Sequence, residues 1–465
     1  MRKVLLINPP GINPYIRDCF CSHIAKASYI WHPLDLVILS GILSVNFDLK
    51  IIDAVASKEN AFEIIKVIKK EKFFAVICLI GNISLKEDIS FLKKIRKVHQ
   101  KCFIIVLGDV ALHKKERLLK KYPFIDGCIL DFTSKDILKF LNRKNKFANG
   151  KIIENLIYRK NGKIIKGKRK SSSKLFTYPV PKHKLFPLSA YKLPMQKYTP
   201  FISLLTSDGC PFSCKFCPAS NEILGFKLRK IENVLEELDY IYSLGIKELR
   251  FRDNTFISNK NYSIKLLNSM INKSYGFSYS CLTRVDTVNE KVLKLMKKSG
   301  CHTIQFGVES GSNKILNQFN KRTNTGQIKK VFAVCKKLKI NTLAHFILGL
   351  PGETLKTMEK TLALAKQIEP DYVSFNIAKA IPETQLGKEC LQKGWSQQNN
   401  LNINTPQLSF KDVLRFQKKA YREFYLRPKF ILKKLIKISS LMELFSNLTN
   451  MLNLFFKAPK KSEWK

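Results

Sequence analysis

The chain has 465 residues, 45% of them apolar, enough for a large core and about three units of ordinary domain size. Its 82 Lys and Arg against 36 Asp and Glu give a formal charge of +46, a balance that usually invites a nucleic-acid or anionic-membrane partner. The lysines are spread along the whole chain amid abundant Ile, Asn and Phe, a pattern that fits a general lysine-rich composition as well as a dedicated patch, with a mostly solvated lysine surface as the default reading. Met1-Arg2-Lys3 is followed by only four apolar residues before Asn8-Pro9-Pro10, too few for a secretory leader, and no run of about 18 uncharged apolar residues exists to span a membrane. The twelve cysteines are scattered rather than spaced as a disulfide framework, which fits a reducing cytoplasm.

Residues 1–140 alternate between strands and helices. Val4-Leu5-Leu6-Ile7 is a short apolar strand ending at Asn8-Pro9-Pro10-Gly11, and Leu34 to Leu43 is helical. The strands Leu49 to Asp53, Phe74 to Leu79 and Phe103 to Gly108 follow, separated by the helical stretches Ala61 to Ile68 and Ile89 to Val98. This order predicts a doubly wound, Rossmann-like parallel sheet whose ligand crevice lies outside the strand carboxyl ends. Asn8, Asp53, Gly81 and Gly108 fall at such ends; read singly, each is also an ordinary turn residue. Cys19 and Cys21 lie in a loop-like stretch and are too few for a cluster of their own.

Residues 141–198 read as a connector. Asn142 to Lys146 and Lys166 to Lys174 are basic, and between them Leu156 to Ile165 reads as a hairpin with an Asn161-Gly162 turn. Pro179, Pro181, Pro187 and Pro194 then argue for an extended segment draped over the following domain.

Residues 199–390 repeat strand and helix. The expected strands are 201–205, 246–251, 277–282, 303–307, 343–348 and 372–377. Between the first two, Ile231, Val234, Leu235, Leu238, Ile241 and Leu244 sit at helical spacing and Gly245 ends the helix. Six such units give a (β/α)6 partial TIM barrel with chemistry at the strand carboxyl ends. Polar groups gather there: Arg252-Asp253-Asn254, Arg284 and Asp286, Gly307-Val308-Glu309-Ser310-Gly311, and Gly349-Leu350-Pro351-Gly352-Glu353. Taken singly each is a loop turn, and Ser312 and Thr354 read equally well as helix caps; repeated at successive strand ends they favour a binding site.

One stretch outweighs the rest. Directly after the first of those strands, Cys210, Cys214 and Cys217 stand at Cys-x3-Cys-x2-Cys spacing in a loop begun by Gly209 and Pro211. Three thiolates around one point can hold three irons of a cubane and leave the fourth open to a cofactor or substrate. A zinc half-site would call for a second close pair of ligands, which is missing. Cys281, Cys301, Cys335 and Cys390 sit in apolar contexts and read as small core residues, and His302 and His345 as structural strand residues.

The loop resembles the signature of the radical S-adenosylmethionine (SAM) superfamily, Cys-x3-Cys-x-aromatic-Cys, with Phe216 in the aromatic place. The resemblance implies a [4Fe-4S] cluster on Cys210, Cys214 and Cys217, SAM on the fourth iron, and cleavage to a 5′-deoxyadenosyl radical that abstracts hydrogen from an unactivated carbon. It further places Phe216, Gly349 and Leu350 by the adenine, Glu309 and Ser310 near the ribose and carboxylate, Arg284 beneath the cofactor and Asp253 among the SAM-binding groups. Asp208 stands where related sequences often carry Arg. Val4 to Pro10, His32-Pro33-Leu34-Asp35-Leu36 and Ile51 to Ala54 resemble the cobalamin-binding domain that precedes many such barrels, as in the anaerobic magnesium-protoporphyrin ester cyclase and hopanoid methylase type. That implies a corrinoid near Asn8, Pro9, Leu34, Asp53, Gly81 and Gly108. The sequence departs from this pattern at Leu107-Gly108-Asp109 and at Cys128 to Phe132. It also lacks the Asp-x-His-x-x-Gly signature, as radical SAM members commonly do.

From about 391 the chain forms a helical C-terminal region. Leu414 to Pro428 resembles the Tyr- and Arg-rich end of the same family. Leu435, Ile438, Leu441, Met442, Phe445, Leu448, Leu452 and Phe455 then make an apolar stripe flanked by lysines, which either packs on the barrel or meets a membrane surface. The resemblance implies a cytoplasmic methyltransferase or oxidoreductase-type enzyme acting on a small or lipid-like metabolite, with an external reductant such as flavodoxin or ferredoxin. A tRNA-modifying radical SAM enzyme is the alternative that the charge supports, although the extra three cysteines of methylthiotransferases are missing from residues 1–140. A non-catalytic iron-sulfur binding or regulatory protein is the other.

Overall fold

A strand without polar alternation has to be covered on both faces. In the computed structural model the first strand, Lys3–Asn8, is: Val4 and Leu6 enter one apolar cluster, while Leu5 and Ile7 enter another. The structure describes residues 1–18, 22–25, 29–142, 152–170, 174–193, 195–397 and 400–435. Cys19, Cys21, Pro194, residues 143–146 and 171–173 of the basic runs and the apolar stripe beyond Leu435 lie outside them. The chain divides into two units, Met1–Asp208 with Lys227–Glu248, and Gly209–Phe226 with Leu249 onward.

In the first unit, Lys3–Asn8 pairs in parallel with Asp48–Asp53 on one side and Ala75–Leu79 on the other. Phe103–Leu107 and Gly127–Ile129 continue the parallel run. Numbered in chain order, these five strands lie 2-1-3-4-5, a doubly wound order with its switch point between the first and third. The helix Leu34–Leu43 is buried along its whole length in one cluster. The helices Ala61–Lys69 and Leu85–Val98 send Ile64, Ile68, Leu92 and Ile95 into the other. The hairpin is present as Leu156–Lys160 and Lys163–Lys166, with Asn161 and Gly162 at φ +47° and +74°, as a two-residue turn of this type requires. It extends the sheet, pairing antiparallel with Gly127–Ile129 and so covering what would be an open edge.

The proline segment meets the following stretch, as expected, at Arg229, Asn233 and Glu237, and it meets the first sheet as well. It packs onto the first sheet, where Tyr178, Phe186 and Tyr191 fill the cluster around the helix Leu34–Leu43. The reason is local: a Cβ on Gly41 would meet the Pro179 carbonyl oxygen at 2.2 Å, so the glycine lets the two backbones touch, and the Lys182 N–H donates to Ser40 Oγ at 2.9 Å. A buried ion pair of Arg229 with Glu237 pins the same segment, through Tyr178 Oη at 2.9 Å from Arg229 and His183 at 2.8 Å from Glu237.

In the second unit, the strands Glu248–Phe251, Ser278–Thr283, Cys301–Glu309, Asn341–Leu348 and Tyr372–Ile377 neighbour one another in chain order. The last four are parallel, and the helices Lys260–Asn272, Glu290–Lys298, Thr325–Lys337 and Leu355–Ile368 fall between them. That is the strand-helix repeat of a barrel wall. Phe201–Leu204 is, as expected, the first strand of this six-stranded sheet. The helix Phe410–Tyr425 begins at a capping box of Ser409 and Asp412. It covers the edge strand Tyr372–Ile377, with the Tyr421 and Tyr425 hydroxyls accepting from the Phe375 and Val373 N–H groups at 3.1 and 3.0 Å. Among the described residues no helix is long and apolar enough to cross a membrane.

Candidate metal and cofactor site

The three-cysteine loop is held by its backbone. Gly209 at φ +78° runs so close to the returning chain that a Cβ there would meet Gly225 O at 2.0 Å, and the Cys210 N–H donates to that same oxygen at 3.2 Å. The Cys217 N–H donates to Cys214 O at 3.0 Å, closing a tight turn. Farther residues clamp the loop: Lys215 N–H to Phe319 O at 3.2 Å, Asn320 Nδ2 to Ser213 O at 2.9 Å, and Leu386 N–H to Lys215 O at 3.0 Å. Cys210 and Cys214 are buried and Cys217 is half-buried. A cavity of about 70 Å3 opens beside them, lined by Cys214, Cys217, Ser220, Glu222, Thr384 and Lys388 among others.

Desolvation pushes the Cys217 thiol up to about 12, and the neighbouring Cys214 and Cys210 sulfurs add to the rise. Three cysteines on an eight-residue loop are a donor set that releases protons when it takes up iron. Among the described residues no three His, Cys, Asp or Glu crowd around a single-ion point; a cubane, which takes one thiolate per iron, does not require that. The donor chemistry fits the cluster that the sequence implies.

Around the loop, most of the predicted strand-end groups are buried, and several meet. Arg284 is tied to Asp286 by two bonds, Nε to Oδ1 at 2.8 Å and Nη2 to Oδ2 at 2.7 Å, and Nη1 donates to Cys214 Sγ at 3.1 Å. Glu309 sits in a bulge of its strand at φ +69° and pairs with Lys321 Nζ at 2.7 Å. Gly307 leaves room for this pair, since a Cβ there would meet Glu309 Oε1 at 2.4 Å and Lys321 Nζ at 2.9 Å. The Arg284 guanidinium also donates to the Lys321 carbonyl, so one loop joins both charged groups. Sequence reasoning missed Lys321; the one signal for it is that a carboxylate buried at a strand end demands a cation. Asp253 is buried directly after its strand.

Other predicted groups are bonded or packed within the fold. Ser310 Oγ accepts from the Ser312 N–H at 3.2 Å and lies 3.4 Å from Thr361 Oγ1, against the helix Leu355–Ile368. The Gly349 and Leu350 N–H groups donate to Glu353 Oε2 at 2.8 and 3.1 Å. Phe216 and Leu350 meet in one apolar cluster with Phe319 and Ala378. Thr354 caps its helix, accepting from Thr357. Asp208, two residues ahead of Cys210, accepts from Arg169 at 2.6 Å and lies 3.3 Å from Lys227, which also binds Asp131 and, at 2.6 Å, Thr133. Burial works against the Asp131 charge, but Lys227 and Arg169 more than offset it and hold the carboxyl below its usual range. The acidic Asp208 thus lies between two cations that the sequence supplies elsewhere.

At the strand ends of the first unit the polar groups are paired with one another. Asn8 Nδ2 donates to Asp53 Oδ1 and Tyr191 Oη to Asp53 Oδ2, both at 2.8 Å. Arg17, unremarked in the sequence, gives Nη1 to Asn8 Oδ1 at 3.0 Å and to Pro9 O at 2.9 Å, and Nη2 to Asp88 Oδ1 at 2.6 Å. The Gly81 N–H donates to Asp88 Oδ2 at 2.9 Å. A Cβ on Gly108 would meet Ile80 O at 2.2 Å, and Leu34 faces the apolar cluster. The side chains of Asn8 and Asp53 are thus paired within the protein, whereas the buried His32 Nε2, in the stretch that resembles the cobalamin domain, has no hydrogen-bond partner among the described residues.

The fold and the loop together define an α/β protein that presents a metal-type cysteine set, backed by buried charges, at the carboxyl ends of parallel strands. Residues 204–365 match the radical SAM superfamily. The chain is 31% identical over 447 residues to an uncharacterized methyltransferase of Pyrococcus horikoshii, spanning 93% of this chain and 94% of that one. Its fold is similar to that of the cobalamin-dependent S-adenosylmethionine radical enzyme OxsB, at TM-score 0.72 and 16% identity over 100% of this chain and 74% of that chain. It is also similar to the radical S-adenosylmethionine methyltransferase TsrM from Kitasatospora setae, at TM-score 0.69 and 15% identity over 84% of this chain and 78% of that chain. The chain belongs to the radical SAM superfamily of enzymes.

Proposed function

We propose that this enzyme holds a [4Fe-4S] cluster on Cys210, Cys214 and Cys217, binds SAM beside it, and methylates an unactivated carbon of a small or lipid-like metabolite. The observation that carries the reading is the clamped loop of three thiols with a buried cation on one sulfur. Bound there, a reduced cluster would supply the electron that cleaves SAM to a 5′-deoxyadenosyl radical. The protein's part is placement. The Phe319-Asn320 and Leu386 clamps fix the loop, Phe216 and Leu350 give an apolar wall for an adenine, and the Glu309–Lys321 pair and Asp253 offer polar partners to ribose and amino-acid groups. Residues 199–390 would form the catalytic barrel.

Cobalamin is the proposed second cofactor, carried by residues 1–140. Its support is the doubly wound order and the cobalamin bound in the OxsB and TsrM structures; the paired strand-end groups do not add to it. The electron would come from an external reductant such as flavodoxin or ferredoxin. The test is anaerobic reconstitution with iron, sulfide, SAM and hydroxocobalamin, then desalting, cofactor quantification and assay of 5′-deoxyadenosine after reduction. Cluster, corrinoid and deoxyadenosine together support the reading. Deoxyadenosine without corrinoid removes cobalamin from it, and a chain that takes up no cluster refutes it.

A further inference from the structure

We propose that Arg284 sets how readily the cluster accepts an electron, by donating a hydrogen bond from a fixed cation to the Cys214 sulfur. The proposal rests on the cluster reading above.

A guanidinium carries five N–H donors in one plane. At Arg284, Asp286 takes the Nε–Nη2 edge at 2.8 and 2.7 Å, and the Lys321 carbonyl takes a further bond from Nη2. Planarity then fixes where Nη1 points, and it points at Cys214 Sγ, 3.1 Å away. The Phe212 ring lies 4.0 Å from the guanidinium carbon and closes one face. The side chain is 5% exposed, so water does little to screen it. Asp286 balances the charge from the far edge, which leaves the cation as the member of the pair nearer the sulfur.

The loop sulfurs are served unequally. Cys210 Sγ lies 3.6 Å from Thr255 Oγ1, but that hydroxyl already donates to Asn254 O at 2.8 Å. Cys214 alone receives a charged donor among the contacts described. Hydrogen bonds to cluster sulfurs and nearby positive charge stabilise the reduced, more negative state and raise the reduction potential. With four of its five N–H donors engaged inside the protein, Arg284 acts as a positioning and tuning residue through Cys214 rather than as a ligand for the SAM carboxylate.

The experiment uses the full chain, reconstituted anaerobically with iron and sulfide and without SAM, in a potentiometric titration read by the electron paramagnetic resonance of the reduced cluster. The variants are Arg284→Lys, which keeps the charge, Arg284→Gln, which keeps a donor, and Arg284→Met. Arg284→Gln and Arg284→Met are expected to keep the parent's iron and sulfide content. Their reduced-to-oxidised ratio at fixed ambient potential should fall about tenfold, equivalent to about 59 mV for one electron, with Arg284→Lys in between. An unchanged midpoint together with weakened SAM binding, seen as loss of the SAM-induced change in the spectrum, would overturn the proposal and make Arg284 a SAM ligand. Loss of the cluster from all three variants would also overturn it, assigning Arg284 to holding the loop. Failure of the cluster reading itself shows separately, as a parent protein that takes up no cluster.

Discussion

Arg17 and Arg284 are both buried beside the carboxyl ends of parallel strands, one in each unit. Arg17 spends its donors on protein oxygens: Asp88, Ser84, Asn8 and the Pro9 carbonyl, with Asp53 and Tyr191 completing the ring. Arg284 has a similar carboxylate partner but ends on a sulfur. A buried charge whose partners all lie within the fold is architecture. A charge aimed at a soft atom on a clamped, metal-type loop prepares a site. The contrast separates two strand-end regions that look alike in sequence, where Asn8, Asp53 and Gly81 stand much as Arg284, Glu309 and Gly349 do.

The largest test of that contrast is chemical. Cys217→Ala should lose the cluster and reduce 5′-deoxyadenosine after reconstitution to the background without protein. Cys335→Ala, at a fully buried cysteine of the helix Thr325–Lys337, should keep both and cost about 1 kcal/mol of stability. Deoxyadenosine formed by the Cys217 variant would break the assignment of the loop.

Next comes Arg17. Arg17→Met leaves Asp88 buried without its cation, and both side chains are 0% exposed. Burial already pushes the Asp88 carboxyl up, and Arg17 is the main influence holding it down. Breaking such a pair costs about 3–5 kcal/mol, which a urea unfolding curve should show, and adding Asp88→Asn should recover much of it. If Arg17→Met instead left stability intact and abolished corrinoid retention, the first unit's network would be a ligand site after all.

The repeating patterns were legible in the sequence. The unalternating runs Val4–Ile7 and Phe103–Leu107 required a sheet covered on both faces, and the spacing of Ile231, Val234, Leu238 and Ile241 gave the helix Ile231–Ser243. The cysteine loop was legible because its spacing is itself the chemistry. Long-range pairing was not. Nothing local links Asp208 to Arg169, Arg17 to Asp88, or Glu309 to Lys321, because complementary charge is met in space, and a lysine-rich chain offers too many candidates. The proline segment was half legible for a related reason: its prolines show that it is extended, while Gly41, far away in sequence, decides that it also lies on the first sheet.

Glu353 sharpens the comparison through pH. Unlike Asp88 it has no cation: Oε2 accepts from Gly349 and Leu350, and Oε1 has no hydrogen-bond partner among the described residues. Burial pushes its carboxyl from 4.5 up to about 8, and the two N–H bonds only partly counter the rise. The folded chain therefore keeps a proton that the unfolded chain loses above pH 4.5, so this residue makes stability fall between about pH 4.5 and about 8 and level off above. Glu353→Gln keeps an oxygen for the two N–H groups and removes the titration. Unfolding curves across that window should show a shallower decline for the variant, and an identical pH profile would mean that Glu353 is ionised in the fold.

The smallest effect separates two glycines. Gly108 and Gly349 both end strands at positive φ, +115° and +79°, where an L side chain costs about 1–2 kcal/mol. A Cβ on Gly349 would meet the Val413 methyls at 2.9 Å, and a side chain on a covering helix can give. A Cβ on Gly108 would meet the Ile80 carbonyl oxygen at 2.2 Å, and Ile80 is tied to the sheet by its N–H bond to Leu107 O at 2.8 Å. Gly349→Ala should therefore cost about 1–2 kcal/mol and Gly108→Ala clearly more, both read from thermal unfolding. That order would explain Gly108 by backbone approach alone. The reverse order, with Gly108→Ala tolerated and corrinoid uptake lost, would return this turn to the role of a ligand cradle.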